Sequence, residues 1–204
     1  MPSFEYDRRY VDWALGVLES YLLANEVYWH VDVIAPSGEP AYPMLTLEGM
    51  LLAMQRMRAC SRGMAEQHEE ETISLRLDVA HTRWRVAWEK KAQRGFMARL
   101  TMWLNFLEEY QERPEEHADR YRHEVRLRVF LEILGENLSR YDSRLVERLV
   151  RLDIELKTIL IPGDFIWDDV IQTAFPEERY WYLYGRLPYA LSSSTTGQID
   201  ISGG

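Results

Sequence analysis

Apolar side chains return every three or four positions along most of the chain, and that spacing is the repeat of an amphipathic α-helix. The first such segment, about Tyr6 to Tyr28, puts Val11, Leu15, Leu18 and Leu22 on one stripe, with Ala14, Val17 and Tyr21 widening it and Asp7 available as a cap. The β-branched and aromatic run Val27–Ile34 either extends that helix or forms a short extended piece. Pro36, Gly38, Pro40 and Pro43 then exclude regular helix across 35–43, because proline lacks the amide donor and restricts the residue before it. Thr46 is placed to cap a second helix carrying Leu47, Met50, Leu51, Met54, Met57 and Met64, which meets no strong breaker before Glu69-Glu70-Glu71.

The longest pattern follows. Trp84, Trp88, Ala92, Phe96, Leu100, Trp103, Leu107 and Tyr110 succeed one another at steps of three or four, predicting one helix from about Thr72 to Gln111 with Gly95 as its single weak point. Such a helix spans about 60 Å, more than a compact bundle of this size requires. Pro114 with Glu115 and Glu116 opens a fourth helix, proline in the first turn and carboxylates at the positive end of the dipole, ending near Gly135 or Asn137. Asp142 or Ser143 begins a fifth, in which Leu145, Leu149, Leu152, Leu156 and Ile159 form the narrow seam of a coiled coil until Pro162-Gly163 stops it. A short helix from Asp164 through about Ala174, a break at Pro176 and a further turn through Tyr184 precede a polar tail of small residues. The expected fold is all-α: an elongated, largely antiparallel bundle of about five main helices over 1–162, one of them very long, an aromatic-rich helical cap over 163–191, and a flexible tail over 192–204.

Composition agrees with an ordered protein, since 47% of the 204 residues are hydrophobic, enough for a substantial core. The single Cys60 excludes an intramolecular disulfide, and the longest apolar run, Met50–Met54, is far too short for a membrane span, so a cytoplasmic location is expected. A net charge of -9 opposes general affinity for nucleic acid or anionic membrane. That charge is uneven: residues 1–71 carry -7, 72–160 carry +2 and 161–204 carry -4. Arginine makes up 21 of the 24 basic residues, which predicts planar ion pairs between oppositely charged segments.

Motifs for catalysis are sparse. No G-x-G-x-x-G or G-x-x-x-x-G-K occurs, and His68-Glu69 and His123-Glu124 begin H-E-x-x-H only to meet Thr72 and Leu127. Glu66-x-x-Glu69 and Glu116-x-x-Asp119 have the paired acidic step that can hold magnesium on a helix, and Asp164 with Asp168 and Asp169 forms a second acidic group, although Asp164 is better placed as a helix cap. Arg122 with Arg126, and Arg140, Arg144, Arg148 and Arg151, make ridges off the apolar stripes that could follow phosphates, but Glu147, Asp153 and Glu155 stand beside the second ridge to satisfy it.

The aromatic residues carry the functional expectation. Eight of the 25 fall within Phe165–Tyr189, and consecutive Tyr180, Trp181, Tyr182 and Tyr184 cannot all face one core. With Trp84, Trp88 and Trp103 they are interface candidates. The sequence therefore points to a non-enzymatic interaction or scaffold protein without a cofactor, binding itself as a homo-oligomer or another protein. The alternatives are a magnesium-dependent hydrolase of a nucleotide or phosphate ester, using Glu66, Glu69, Glu116, Asp119, Asp164 and Asp168, and a small-ligand sensor with a cavity lined by Met and Trp.

Overall fold

The computed structural model describes residues 3–139 and 142–190 and is all-α, its helices joined by a minimal two-stranded sheet. Helix α1 (Phe4–Leu23) begins at Ser3, whose hydroxyl accepts from the amide of Tyr6 at 3.2 Å. Asp7, the cap expected from sequence, is instead fully buried and forms a two-pronged pair with Arg56 of α2 (Leu47–Cys60). Between these helices the chain is extended, and Trp29 and Leu45 exchange backbone hydrogen bonds of 2.9 and 2.8 Å. Gly38, at φ +86°, makes the turn after Pro36 that glycine adopts without cost. Thr46 caps α2 as its sequence position implies, accepting from Gly49 at 3.1 Å.

Helix α2 ends at Cys60, well before the acidic run, and α3 (Met64–Arg83) starts separately with the Glu66 carboxylate accepting from the amides of Arg62 and Gly63. Met64 is thereby removed from the Met stripe and stands 87% exposed, while Met50, Met54 and Met57 are buried. The single helix expected over 72–111 is two helices. The chain breaks at Trp84 (φ -110°, ψ 22°), after which α4 (Arg85–Glu112) continues for 28 residues. The break lets the two halves follow different partners: α3 buries only Ile73 and Leu77, whereas α4 buries Trp88, Phe96, Leu100, Trp103, Leu107 and Tyr110 at the centre of the core. Gly95 fits inside α4 because a Cβ there would stand 3.3 Å from both the Glu48 carboxylate and Leu134.

The expected fourth helix is likewise interrupted, into α5 (Pro114–His117), a tight 3-10 turn, α6 (Tyr121–Glu124) and α7 (Arg126–Glu136). Helix α7 packs along α4, its closest neighbour in the fold. Asp142 caps α8 (Ser143–Ile159), as the sequence indicates, but of the leucine seam only Leu152 and Leu156 are fully buried, and Leu145 and Leu149 are half-buried against the core. Pro162-Gly163 does more than stop α8. It lies in β1 (Ile161–Phe165), which pairs antiparallel with β2 (Tyr184–Arg186) around a bulge. The helix expected from Asp164 is therefore a strand followed by a 3-10 turn at Asp169–Ala174, and Asp168 rather than Asp164 is the cap, accepting from Val170 at 3.0 Å. Helix α9 (Glu177–Tyr180) and one more 3-10 turn complete the aromatic cap. The expected tail over 192–204 and Arg140 lie outside the described residues.

Candidate functional site

Arg99 and Arg128 are buried and Arg56 is half-buried, and each has a carboxylate. Arg56 meets Asp7, Arg99 meets Glu48 with both side chains no more than 6% exposed, and Arg128 meets Asp153 and Glu132 while lying 4.6 Å above the Tyr182 ring. The Arg99 guanidinium also takes the Tyr28 hydroxyl at 2.8 Å. Only the Glu48–Arg99 pair joins the acidic 1–71 segment to 72–160, as the charge distribution predicts; the Asp7–Arg56 and Arg128–Asp153 pairs each lie within one segment.

The surface at the α3–α4 break is different. Arg83, Arg85, Lys90, Lys91 and Arg94 fall within twelve residues, and none forms an ion pair among the described residues. Their positions follow from the break: it turns the start of α4 past the C-terminal end of α1, where the last carbonyls of α1 need donors. Lys91 donates to the carbonyl of Ala24, the C-cap of α1, at 2.9 Å and to that of Glu26 just beyond it at 2.8 Å, while its ammonium lies 4.2 Å from the Tyr21 ring. Burial and then the like charge of Arg94 pull the Lys91 pKa below its ordinary value, against the smaller opposing pull of Glu26. Arg94 reaches the carbonyl and side-chain oxygens of Asn25, Arg83 lies 5.4 Å over the Trp84 ring, and Arg85 and Lys90 have no polar partner among the described residues.

The cations frame a groove of mixed polar and apolar lining. Two adjoining hollows of about 620 and 420 Å³ share Arg83 and Trp84; the first is lined by Leu23 and Val86, the second by Leu75 and Val79. All four of those aliphatic side chains are at least 60% exposed. An exposed aliphatic strip thus lies beside a half-buried tryptophan and a row of cations that have no ion pair among the described residues.

Of the interface candidates read from sequence, Trp84 lies in this groove. Trp88 and Trp103 are in the core, Trp88 donating its indole N–H to Asn137 at 2.9 Å, and Tyr180 and Tyr182 are buried beneath the cap. Trp181 is half-buried under the Lys157 ammonium, and half-buried Tyr184 donates its hydroxyl to the Phe175 carbonyl. The cap thus resolves its crowded aromatics by packing them edge-on against one another, Phe175 with Tyr180 and with Trp167, Tyr182 with Tyr180 and with Trp181.

The acidic candidates are distributed over separate elements. Glu66 caps α3, Glu69 pairs with Arg8 at 3.3 Å, Glu116 pairs with Arg113 at 3.0 Å, and Asp164 is exposed on β1. Asp119 and Asp168 do share one cleft, where Asp119 accepts from the Tyr189 hydroxyl at 2.6 Å. Among the described residues no three or more His, Cys, Asp or Glu side chains are grouped to hold a metal ion. The Met residues of α2 fill the core and line none of the hollows described here.

Sequence reading overlooked the groove because averaging charge over 72–160 hides it. The local count over 83–94, five cations against the single Glu89, was the signal available. No protein-family model matches the chain, and neither curated proteins nor solved structures yield a match.

Proposed function

We propose that the protein is a non-enzymatic interaction module whose groove at the α3–α4 break takes an acidic segment of a partner protein that also carries apolar side chains. The observation that carries this reading is the density of cations: Arg83, Arg85, Lys90, Lys91 and Arg94 surround Leu23, Trp84 and Val86 with no carboxylate paired to any of them among the described residues, whereas buried Arg99 and Arg128 each hold one. Concavity favours a polypeptide over a lipid surface, because a membrane reaches protruding side chains rather than hollows. The overall charge of -9 opposes a nucleic acid, whose phosphates continue well past a patch of this length. A second copy of this chain is the rival occupant, although Glu66, Glu69 and Glu70, in its densest acidic run, are already engaged by amides, Arg8 and Arg58.

The test is a fluorescent amphipathic peptide of Glu, Leu and Phe titrated into the full chain near about 50 mM salt, where screening is modest. Binding is expected, and the Arg85→Glu/Lys90→Glu variant should bind about tenfold or more weakly. Light scattering should report a monomer with and without peptide. Indifference to the charge reversal, or tighter binding to a single-stranded oligonucleotide or to phosphatidylserine vesicles, overturns the proposal.

A further inference from the structure

A separate hollow of about 670 Å³ opens where α2, the turns after Pro114, the start of α7 and the Asp168–Ala174 segment meet. Buried Leu52 and Ile171 form its apolar floor, and Arg56, Arg122, His123, Arg126 and Trp167 stand around it. Its volume is that of a small-molecule pocket, on the order of 300–1,000 Å³.

The cations here are of two kinds. Arg56 is held by Asp7, with Nε–Oδ2 at 3.0 Å and Nη2–Oδ1 at 2.5 Å. Arg122 and Arg126 have no carboxylate within ion-pair distance among the described residues. The polar neighbour of Arg126 is Nε2 of His123 at 3.4 Å, and its guanidinium lies 5.6 Å from the Phe130 ring, which also carries Arg99 at 5.3 Å. Desolvation, followed by the like charge of Arg99, draws the Arg126 pKa down; Glu124 opposes this and Arg56 adds to it. Arg122, His123 and Arg126 are exposed at the mouth of the hollow, so their unpaired charge costs the fold little and remains available to an anion.

The rest of the rim limits what that anion can be. Asp119 and Asp168 accept from neutral donors, the Tyr189 hydroxyl and the Val170 amide, and retain lone pairs toward the hollow's occupant. Trp167 is fixed by its indole N–H, which donates to the Arg122 carbonyl at 3.1 Å, and by edge-on contact with Phe175 at 5.3 Å. Guanidinium groups suit phosphate oxygens, a fixed indole suits a flat ring, and free carboxylate lone pairs suit hydroxyl or amino donors.

We propose that this hollow binds a small ring-bearing phosphomonoester, with its phosphate at Arg122 and Arg126, its ring against Trp167 and a hydroxyl or amino group donating to Asp119 or Asp168. This stands independently of the groove at the α3–α4 break. Calorimetric titration of the full chain with orthophosphate, phenyl phosphate and uridine 5′-monophosphate, at constant ionic strength, tests it. Both esters should bind about tenfold or more tightly than orthophosphate, because only they engage Trp167. Arg126→Gln should weaken both about tenfold or more, while its thermal midpoint holds because the substituted side chain is exposed. Arg126→Lys should restore part of the affinity but not the full two-pronged contact. The proposal is overturned if the native chain binds none of the three probes, if Arg126→Gln binds as the wild type does, or if benzoate binds as tightly as phenyl phosphate.

Discussion

The buried Glu48–Arg99 pair and the rim of the α3–α4 groove use the same kind of side chain in opposite ways. In the first, a guanidinium at 5% exposure is clasped by a carboxylate, a tyrosine hydroxyl and two aromatic rings. In the second, Arg85 and Lys90 point into solvent with nothing to hold them. A charge in the interior is a structural commitment, because removing its partner leaves the other stranded. On the rim an unpaired charge costs the fold little and remains available.

The largest effect expected from breaking this comparison is at the interior pair. Arg99→Met strands Glu48, whose Oε2 already lacks a hydrogen-bond partner, and should lower stability by about 3–5 kcal/mol in urea unfolding. The double variant Arg99→Met/Glu48→Leu should recover most of that loss. If it does not, the pair is not the reason for the cost.

Lys91 sharpens the contrast because it belongs to both regions: it sits in the groove's cationic cluster yet is 2% exposed and caps α1. Lys91→Met should cost about 1–3 kcal/mol by leaving two carbonyls without their donor. The neighbouring Arg85→Gln should stay within about 0.5 kcal/mol of wild type in the same denaturation experiment. Equal effects at both positions would erase the distinction drawn here.

The smallest effect concerns acid. The hydrogen bond from Arg8, helped by Arg9 and opposed by burial, holds the Glu5 carboxyl down at about 2. Its contribution is therefore complete above the unfolded value of 4.5 and lost as pH falls toward about 2. Because Glu5 is 41% exposed, the wild type should exceed Glu5→Gln by only about a few tenths of a kcal/mol at neutral pH, with the gap closing on acidification. Asp7 acts in the other direction: burial raises its pKa despite Arg56, so its preference for the folded state is greatest at low pH and declines as pH rises. Urea midpoints of the two proteins between neutral pH and about pH 3 test the Glu5 term.

Local signals carried the reading of the fold where the physics is local. Thr46 and Asp142 cap the helices their positions announce, and the three-four spacing finds the buried face of α4. What the spacing could not show is the turn at Trp84, since no glycine or proline marks it and the stripe runs on in phase. Likewise, the sheet partner of Pro162-Gly163 lies some twenty residues downstream, and Arg56, the partner of Asp7, lies 49 residues along the chain. Both involve closure of a distant loop, which no periodicity records. The site was partly legible in the same sense: Trp84 stood out by its ring, and Arg122 and Arg126 by their spacing, but whether a cation is paired depends on the tertiary neighbours it meets.

Helix α3 is fastened by two fully buried side chains and by ion pairs at its surface, and the discontinuity at Trp84 separates it from the rigid length of α4. Such a segment is expected to open at a smaller free energy than the whole molecule does, which hydrogen exchange would register as faster loss of the α3 amides than of those of α4. The last turns of α3, with Leu75, Val79 and Arg83, are also one wall of the groove. The width of that groove is accordingly a property of an ensemble, set by how firmly one weakly anchored helix lies down.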